Sequence, residues 1–204
     1  MVEINTTNNL SSIVSQYRKI DSLSRDRVFQ WDIYRDINIF YWTDIWPSWI
    51  PNAFTVVEQK YIIIVSQDCD LESDNRCRKL IRHNPNSSND KIISNFLAIP
   101  WHLLWSFCQW THIAWLTRNP NDIIDSSKKK KIKDNNEYER YHYLKECREH
   151  CLPELVFDFK HYFTIPSDYF YKNFMRKYVC SLNEIYRERF SQRYTQYLWR
   201  IWLP

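Results

Sequence analysis

Tyr61-Ile62-Ile63-Ile64-Val65 is an unbroken apolar run, and three of its five residues are isoleucine. Such a run reads as a central strand buried on both faces of a sheet. Just upstream, Phe54 to Val57 is a second apolar stretch, and Glu58-Gln59-Lys60 between them reads as a short hairpin connection. Asp32-Ile33-Tyr34-Arg35-Asp36-Ile37 alternates and predicts another strand. Downstream, Ile92 to Ile99, Tyr138 to Leu144 and Leu155 to Ile165 complete the set of strands. Asp74 to Asp90, with its Asn, Ser, Pro and Arg, reads as a variable loop. Pro166-Ser167-Asp168 starts a short helix or turn. Ser181-Leu182-Asn183-Glu184 reads as a capping box, hydroxyl and carboxylate each satisfying an orphan amide. Beyond it, Ile185, Phe190, Tyr194, Tyr197 and Ile201 line one face of a terminal helix. The order predicts an α+β fold with a small, strongly bent antiparallel sheet, or a closed barrel that removes its open edges.

The chain has 204 residues, no glycine and ten tryptophans. Ordinary usage would give roughly 14 glycines. Glycine is the default where the backbone needs φ > 0. Several tryptophans stand where a glycine is expected: Trp31 ahead of Asp-Ile-Tyr, Trp42 ahead of Thr43-Asp44, and Trp199 and Trp202 near the C-terminus. We read many of them as glycine codons: some bacterial codes read UGA as glycine, another common table as tryptophan. The alternative is a genuinely Trp-rich, AT-biased protein, and only three alanines support that bias. A stacking platform of indoles for bases or sugars is therefore not assigned.

Residues 1–24 read as a polar N-terminal segment and 25–204 as one α+β domain. A loop insertion is expected at 119–137, carrying Lys128-Lys129-Lys130-Lys131. The net charge of +4 permits nucleic acid without requiring it. Met1 to Leu10 lacks the basic start and apolar core of a signal peptide, and six cysteines then read as reduced thiols in a cytoplasm. Ile92 to Thr117 has no charged residue, but Pro100, His102, Gln109 and His112 within it favour a buried strand ending at Pro100, then a buried helix, over a membrane span.

With Trp31 read as glycine, residues 31–37 become Gly-Asp-Ile-Tyr-Arg-Asp-Ile. Together with the following hairpin and Tyr61 to Gln67, this resembles the opening of MazF/PemK-type toxins, which are SH3-like barrels. The chain also resembles an uncharacterised bacterial family that combines Gly-Asp-Ile, Ser-Gln-x-Cys-Asp-Leu (Ser66 to Leu71), Asp-Phe-Lys-His (Asp158 to His161) and a closing Arg-Ile-Gly-Leu-Pro (Arg200 to Pro204). The toxin resemblance implies an SH3-like barrel core and a nucleic-acid-associated role. The catalytic signature departs from the toxins: Lys60-Tyr61 stands where they place Arg-Pro, and Ile99-Pro100-Trp101-His102 offers no hydroxyl.

Candidate chemistry centres on Gln67-Asp68-Cys69-Asp70, expected at a sheet rim. Two carboxylates flanking a thiol disfavour the thiolate, so Cys69 would need a cation nearby to act as a nucleophile. Asp68 and Asp70 could instead hold a hard cation for a metal-dependent hydrolase, with Asp158 as third ligand. The competing reading is a turn capped by its own aspartates. Lys60, Arg140 and Lys160 are expected to converge on one basic surface if the partner is RNA or DNA. A protein partner is the alternative, for an accessory module of a mobile-element or defence cassette. No cofactor and no metal site are assigned. Cys69, Cys77 and His83 lack a zinc-finger spacing. In the cluster His142, Cys147, His150 and Cys151, Pro153 and the adjoining strands favour a loop.

Overall fold

The computed structural model describes residues 15–19, 25–42, 54–108, 124–135 and 138–202. Eight strands form one sheet: β1 (Tyr17–Arg18), β2 (Asp32–Trp42), β3 (Phe54–Ile64), β4 (Asn95–Leu103), β5 (Tyr141–Leu144), β6 (Leu155–Asp158), β7 (Phe163–Pro166) and β8 (Tyr178–Leu182). Helices are α1 (Asp68–His83), α2 (Leu104–Cys108), α3 (Ser126–Lys133), α4 (Ser167–Asn173) and α5 (Glu184–Trp202). The strand order is β1-β8-β2-β3-β4-β6-β5, with β7 also on β4, and every pairing is antiparallel. The α+β class and the antiparallel pairing are as expected; the small sheet and the SH3-like barrel are not.

The sheet is open, its strand path running from β1 to β5, and both of its faces are covered by other layers. Along the end of β3 and the residue after it, Tyr61, Ile63 and Val65 point into one core, with Trp31, Phe157 and Phe159, over which α5 lays Phe190 and Tyr194. Ile62 and Ile64 point into the other, with Tyr34, Ile37 and Phe96, closed by Leu71 of α1 and Phe170 of α4. Period-two alternation sends successive residues to opposite faces, so a run that is apolar throughout needs two layers. A bare SH3-like barrel, with nothing packed outside it, would leave one of those faces to solvent. Glu58-Gln59-Lys60 is not a hairpin connection: these residues lie inside β3, paired to β2 through Asn38↔Glu58 and Ile37↔Gln59.

Other expectations move as well. Asp74 to His83 is helix, not loop; α1 buries only Leu71, Asp74 and Cys77. Asp74 is a fully buried carboxylate. Both its oxygens accept from Arg78 Nε at 2.9 Å, and it also accepts from Ile93 N at 2.9 Å and Tyr171 Oη at 3.0 Å. That clamp ties α1 to α4. β4 runs through Pro100 to Leu103 before α2 begins. Leu155 to Ile165 is broken by a 3₁₀ turn at Phe159–His161, so β6 and β7 occupy successive stretches of the same edge of β4. Ser181 does not cap α5; it lies in β8 and its hydroxyl donates to Asp32 at 2.6 Å. Asn183 caps instead, its side-chain oxygen accepting from Glu184 N at 2.7 Å. Within the expected insertion, α3 carries the lysine run. Asp125 caps it by accepting from Lys128 N at 2.7 Å, and Ile132 anchors it. Among the described residues, no helix is long and apolar enough to cross a membrane.

Trp31 has φ of 69°, and it alone of the described tryptophans is in the left-handed region. Its N donates to Ile64 O at 2.8 Å and its O accepts from Leu182 N at 3.2 Å. The backbone here turns sharply onto β2 while bridging β3 to β8. The indole fills the core against Phe190, ring centroids 4.9 Å apart. A bulky residue pays roughly 1–2 kcal/mol for this conformation. Trp101, in β4, has no such demand. Trp46, Trp49, Trp110 and Trp115 lie outside the described residues.

Urea denaturation of four variants tests this demand. Trp31→Gly retains more stability than Trp31→Ala by about 1–2 kcal/mol, because both lose the indole and only glycine relieves the backbone. At Trp101 the order reverses, alanine ahead by about 0.5–1 kcal/mol. Alanine equal to or better than glycine at position 31 would remove the case for a glycine position there.

Candidate functional site

The sequence candidates separate into two places. Asp68, Cys69 and Asp70 form the first turn of α1, where carboxylates favourably face the helix dipole. Asp68 accepts from Gln30 N at 3.2 Å and lies 3.7 Å from Arg27. Cys69 is exposed, with Sγ 3.7 Å from both Gln67 Oε1 and Asp70 Oδ1. Asp158 stands at the end of β6, fully buried. Arg140 grips it with two bonds, Nε to Oδ1 at 2.7 Å and Nη2 to Oδ2 at 2.5 Å. His161 Nδ1 is 3.0 Å from Oδ2 and Lys160 N donates to Oδ1 at 3.1 Å. Burial alone would push this carboxyl up. Hydrogen bonds and charge from His161 and Arg140 outweigh it and hold the group well below the usual carboxylate range.

These placements correct two functional readings. Asp68, Asp70 and Asp158 do not converge on a cation: among the described residues, the one group of metal-ligating side chains is Cys147, Glu149 and His150. The metal-dependent hydrolase is therefore overturned. The basic surface expected for RNA or DNA is not formed either. Lys60 projects from β3, and β4 and β6 lie between it and Arg140 at the start of β5. Arg140 is spent on Asp158, and Lys160 is exposed beside it on the 3₁₀ turn. With the barrel also absent, the toxin-like, nucleic-acid-associated role has no structural basis.

A site that the spacing did not reveal lies at the β5 edge of the sheet. A cleft of about 420 Å³ opens between β5, the end of α3 and α5. Lys133, Arg189 and Arg193 line it with Asp134, Asn135, Gln16, Gln192 and His142. Asn135 shapes the rim. It sits at φ 55°, and its amide acts as a surrogate strand for the edge of β5. Its Nδ2 donates to Tyr143 O at 3.0 Å and its Oδ1 accepts from Tyr143 N at 2.7 Å. Arg193 reaches back from α5 and donates to the carbonyls of Asn135, Tyr138 (2.8 Å) and Tyr141 (2.7 Å). No carboxylate pairs with it among the described residues, and its Nε is buried without a partner. Burial pulls its pKa below the usual guanidinium value, and Glu139 offsets that only in part.

His142, in β5, is 4% exposed and its Nδ1 has no hydrogen-bond partner. Burial, and then the charge of Arg193, push its imidazole down to about 3. It is neutral at pH 7. His142 packs edge-on against Phe190 at 4.8 Å, away from the Cys147 cluster in which the sequence grouped it. The signal for this cleft was Arg193 at a core-facing spacing on α5, between Phe190 and Tyr194.

Comparison with known protein families, curated proteins and solved structures finds no match for this chain.

His142 makes stability depend on pH in a defined window. Its folded pKa lies below its unfolded value of about 6.5, so the unfolded chain takes the proton first. Stability is full above about pH 6.5 and falls toward pH 3, by about 1.4 kcal/mol per pH unit at most. Asp158 contributes only lower, as pH drops below its ordinary value of 3.8. Urea midpoints at pH 7, 6 and 5 therefore fall more steeply for the wild type than for His142→Phe. Parallel curves would mean that His142 titrates normally.

Proposed function

We propose that the protein binds a small anionic ligand, bearing a carboxylate or a phosphate, in the cleft between β5 and α5. The observation that carries the reading is Arg193: a half-buried guanidinium held by three backbone carbonyls and, among the described residues, in direct ion pair with no carboxylate. Desolvating a charge costs several kcal/mol unless an opposite charge offsets it. Three carbonyls satisfy hydrogen bonds but leave the net charge in place. An anion in the cleft supplies what is missing.

The neighbours point the same way. Arg189 has no ion-pair partner among the described residues and lies over the Tyr186 ring at 5.9 Å. Lys133 adds a third cation, although Glu154 already accepts from it at 2.5 Å. Asp134 is the one carboxylate in the lining. Gln16, Gln192 and Asn135 offer amides that orient an oxyanion without adding charge. The volume suits a small metabolite and not a polymer. The cysteines are all free thiols, which suits a reducing cytoplasm as the place of action.

Isothermal titration with inorganic phosphate, pyrophosphate and succinate tests the proposal. At least one of the three binds, and Arg189→Gln weakens it by tenfold or more. Lys60→Gln, three strands away from β5, leaves it unchanged. Arg189 is exposed on α5, so its replacement keeps the fold. Equal affinity in Arg189→Gln, or binding of none of the three anions, would overturn the reading.

A further inference from the structure

The connection from β5 to β6 is a closed turn. Cys147 and Leu152 face each other across it, with Cys147 N donating to Leu152 O and Leu152 N to Cys147 O, both at 2.9 Å. Four residues, Arg148 to Cys151, make the loop. Cys151 N donates to Arg148 O at 3.1 Å, and Cys151 takes the left-handed conformation at φ 52°. Leu152 is buried and pins the turn to the core. The backbone between the closing pair is thus fixed.

That turn brings three different ligand types together. Cys147 Sγ, a carboxylate oxygen of Glu149 and an imidazole nitrogen of His150 all lie within 4.8 Å of one another. A tetrahedral zinc ion with ordinary bond lengths holds such atoms roughly 3.3–3.6 Å apart. Zinc binding therefore requires the three side chains to rotate inward by about 1 Å. Tyr17 supports the imidazole from behind. Its ring stands edge-on to His150 at 6.3 Å and 86°, and its hydroxyl donates to Lys145 O at 2.7 Å. This ring contact limits how far the imidazole can turn. The donor set decides the metal. A thiolate and an imidazole select zinc over calcium or magnesium, which want oxygen throughout. Three protein ligands leave a fourth position for water, and Glu149 is exposed, so that position faces solvent.

We infer that the β5–β6 turn binds one zinc ion through Cys147, Glu149 and His150. This site is separate from the anion cleft and does not depend on it. Binding replaces the thiol proton, so one proton is released and affinity falls with falling pH.

The test uses the full chain, fully reduced, in competition with a chromophoric chelator for Zn²⁺. One zinc binds per chain. Cys147→Ala and His150→Ala each weaken it at least tenfold, and Cys69→Ala and Cys151→Ala, which remove the exposed thiols outside the triad, leave it unchanged. Far-ultraviolet circular dichroism of Cys147→Ala checks that the fold is kept. Cobalt substitution gives an independent readout: a near-ultraviolet thiolate-to-metal band in the wild type, absent in Cys147→Ala. Zinc binding that survives Cys147→Ala, or that is lost equally in Cys151→Ala, would overturn the site. So would failure of the chain to bind zinc. Arg189→Gln leaves zinc binding unchanged, so the two sites fail or stand independently.

Discussion

The run Tyr61 to Val65 at the end of strand β3 is dry on both sides, and that burial constrains the whole molecule. Tyr61, Ile63 and Val65 fill one core while Ile62 and Ile64 fill the other. At about 1.5–3 kcal/mol for each large aliphatic side chain fully buried, neither face can be left to water. One face therefore requires α5, and the other requires α1 and α4. The buried acids are accommodated at the seams between these layers. Asp32 joins β2 to β8 through Ser181 and to the preceding segment through Arg25 and the Phe29 amide. Asp74 joins α1 to α4, and Asp158 joins β6 to Arg140. Each carboxylate is matched by a guanidinium, as burial of a charge demands.

Arg193 breaks that pattern. It is part-buried like the other seam arginines, yet among the described residues its partners are carbonyls. It crosses from α5 to the outermost strand β5, next to a neutral imidazole whose own nitrogen is unmatched. The same edge carries the β5–β6 turn, with its thiol, carboxylate and imidazole. The three buried carboxylates are each met by a guanidinium, whereas the charge of Arg193 at the β5 edge is met by carbonyls. Binding sites are commonly built this way, on peripheral loops held by a rigid scaffold.

Parts of this were legible from the residues. The continuous run at Tyr61 to Val65 announced a doubly buried strand, and the alternation from Asp32 to Ile37 announced β2. Phe190 and Tyr194 marked the buried face of α5, while Ile185, read into the same stripe, is exposed. Helix α1 was hidden because its buried stripe is thin and one of its members is an aspartate; the acid reads as loop until Arg78 is seen beside it. The barrel failed because the same strands also fit an open sheet with a covering layer on each face. Asp68 and Cys69 suggested chemistry by type, but their geometry is that of a helix start. Of the cleft only Arg193 left a trace in the spacing, since Asn135, His142 and Arg193 meet only through the fold.

The most direct measurement is a crystal structure of the protein grown with saturating inorganic phosphate or succinate. The account predicts oxyanion density in the cleft, with Arg189 Nη atoms at hydrogen-bond distance and the Arg193 guanidinium flanking it. A cleft filled only by water, or an Arg193 paired with a carboxylate of its own chain, would contradict it.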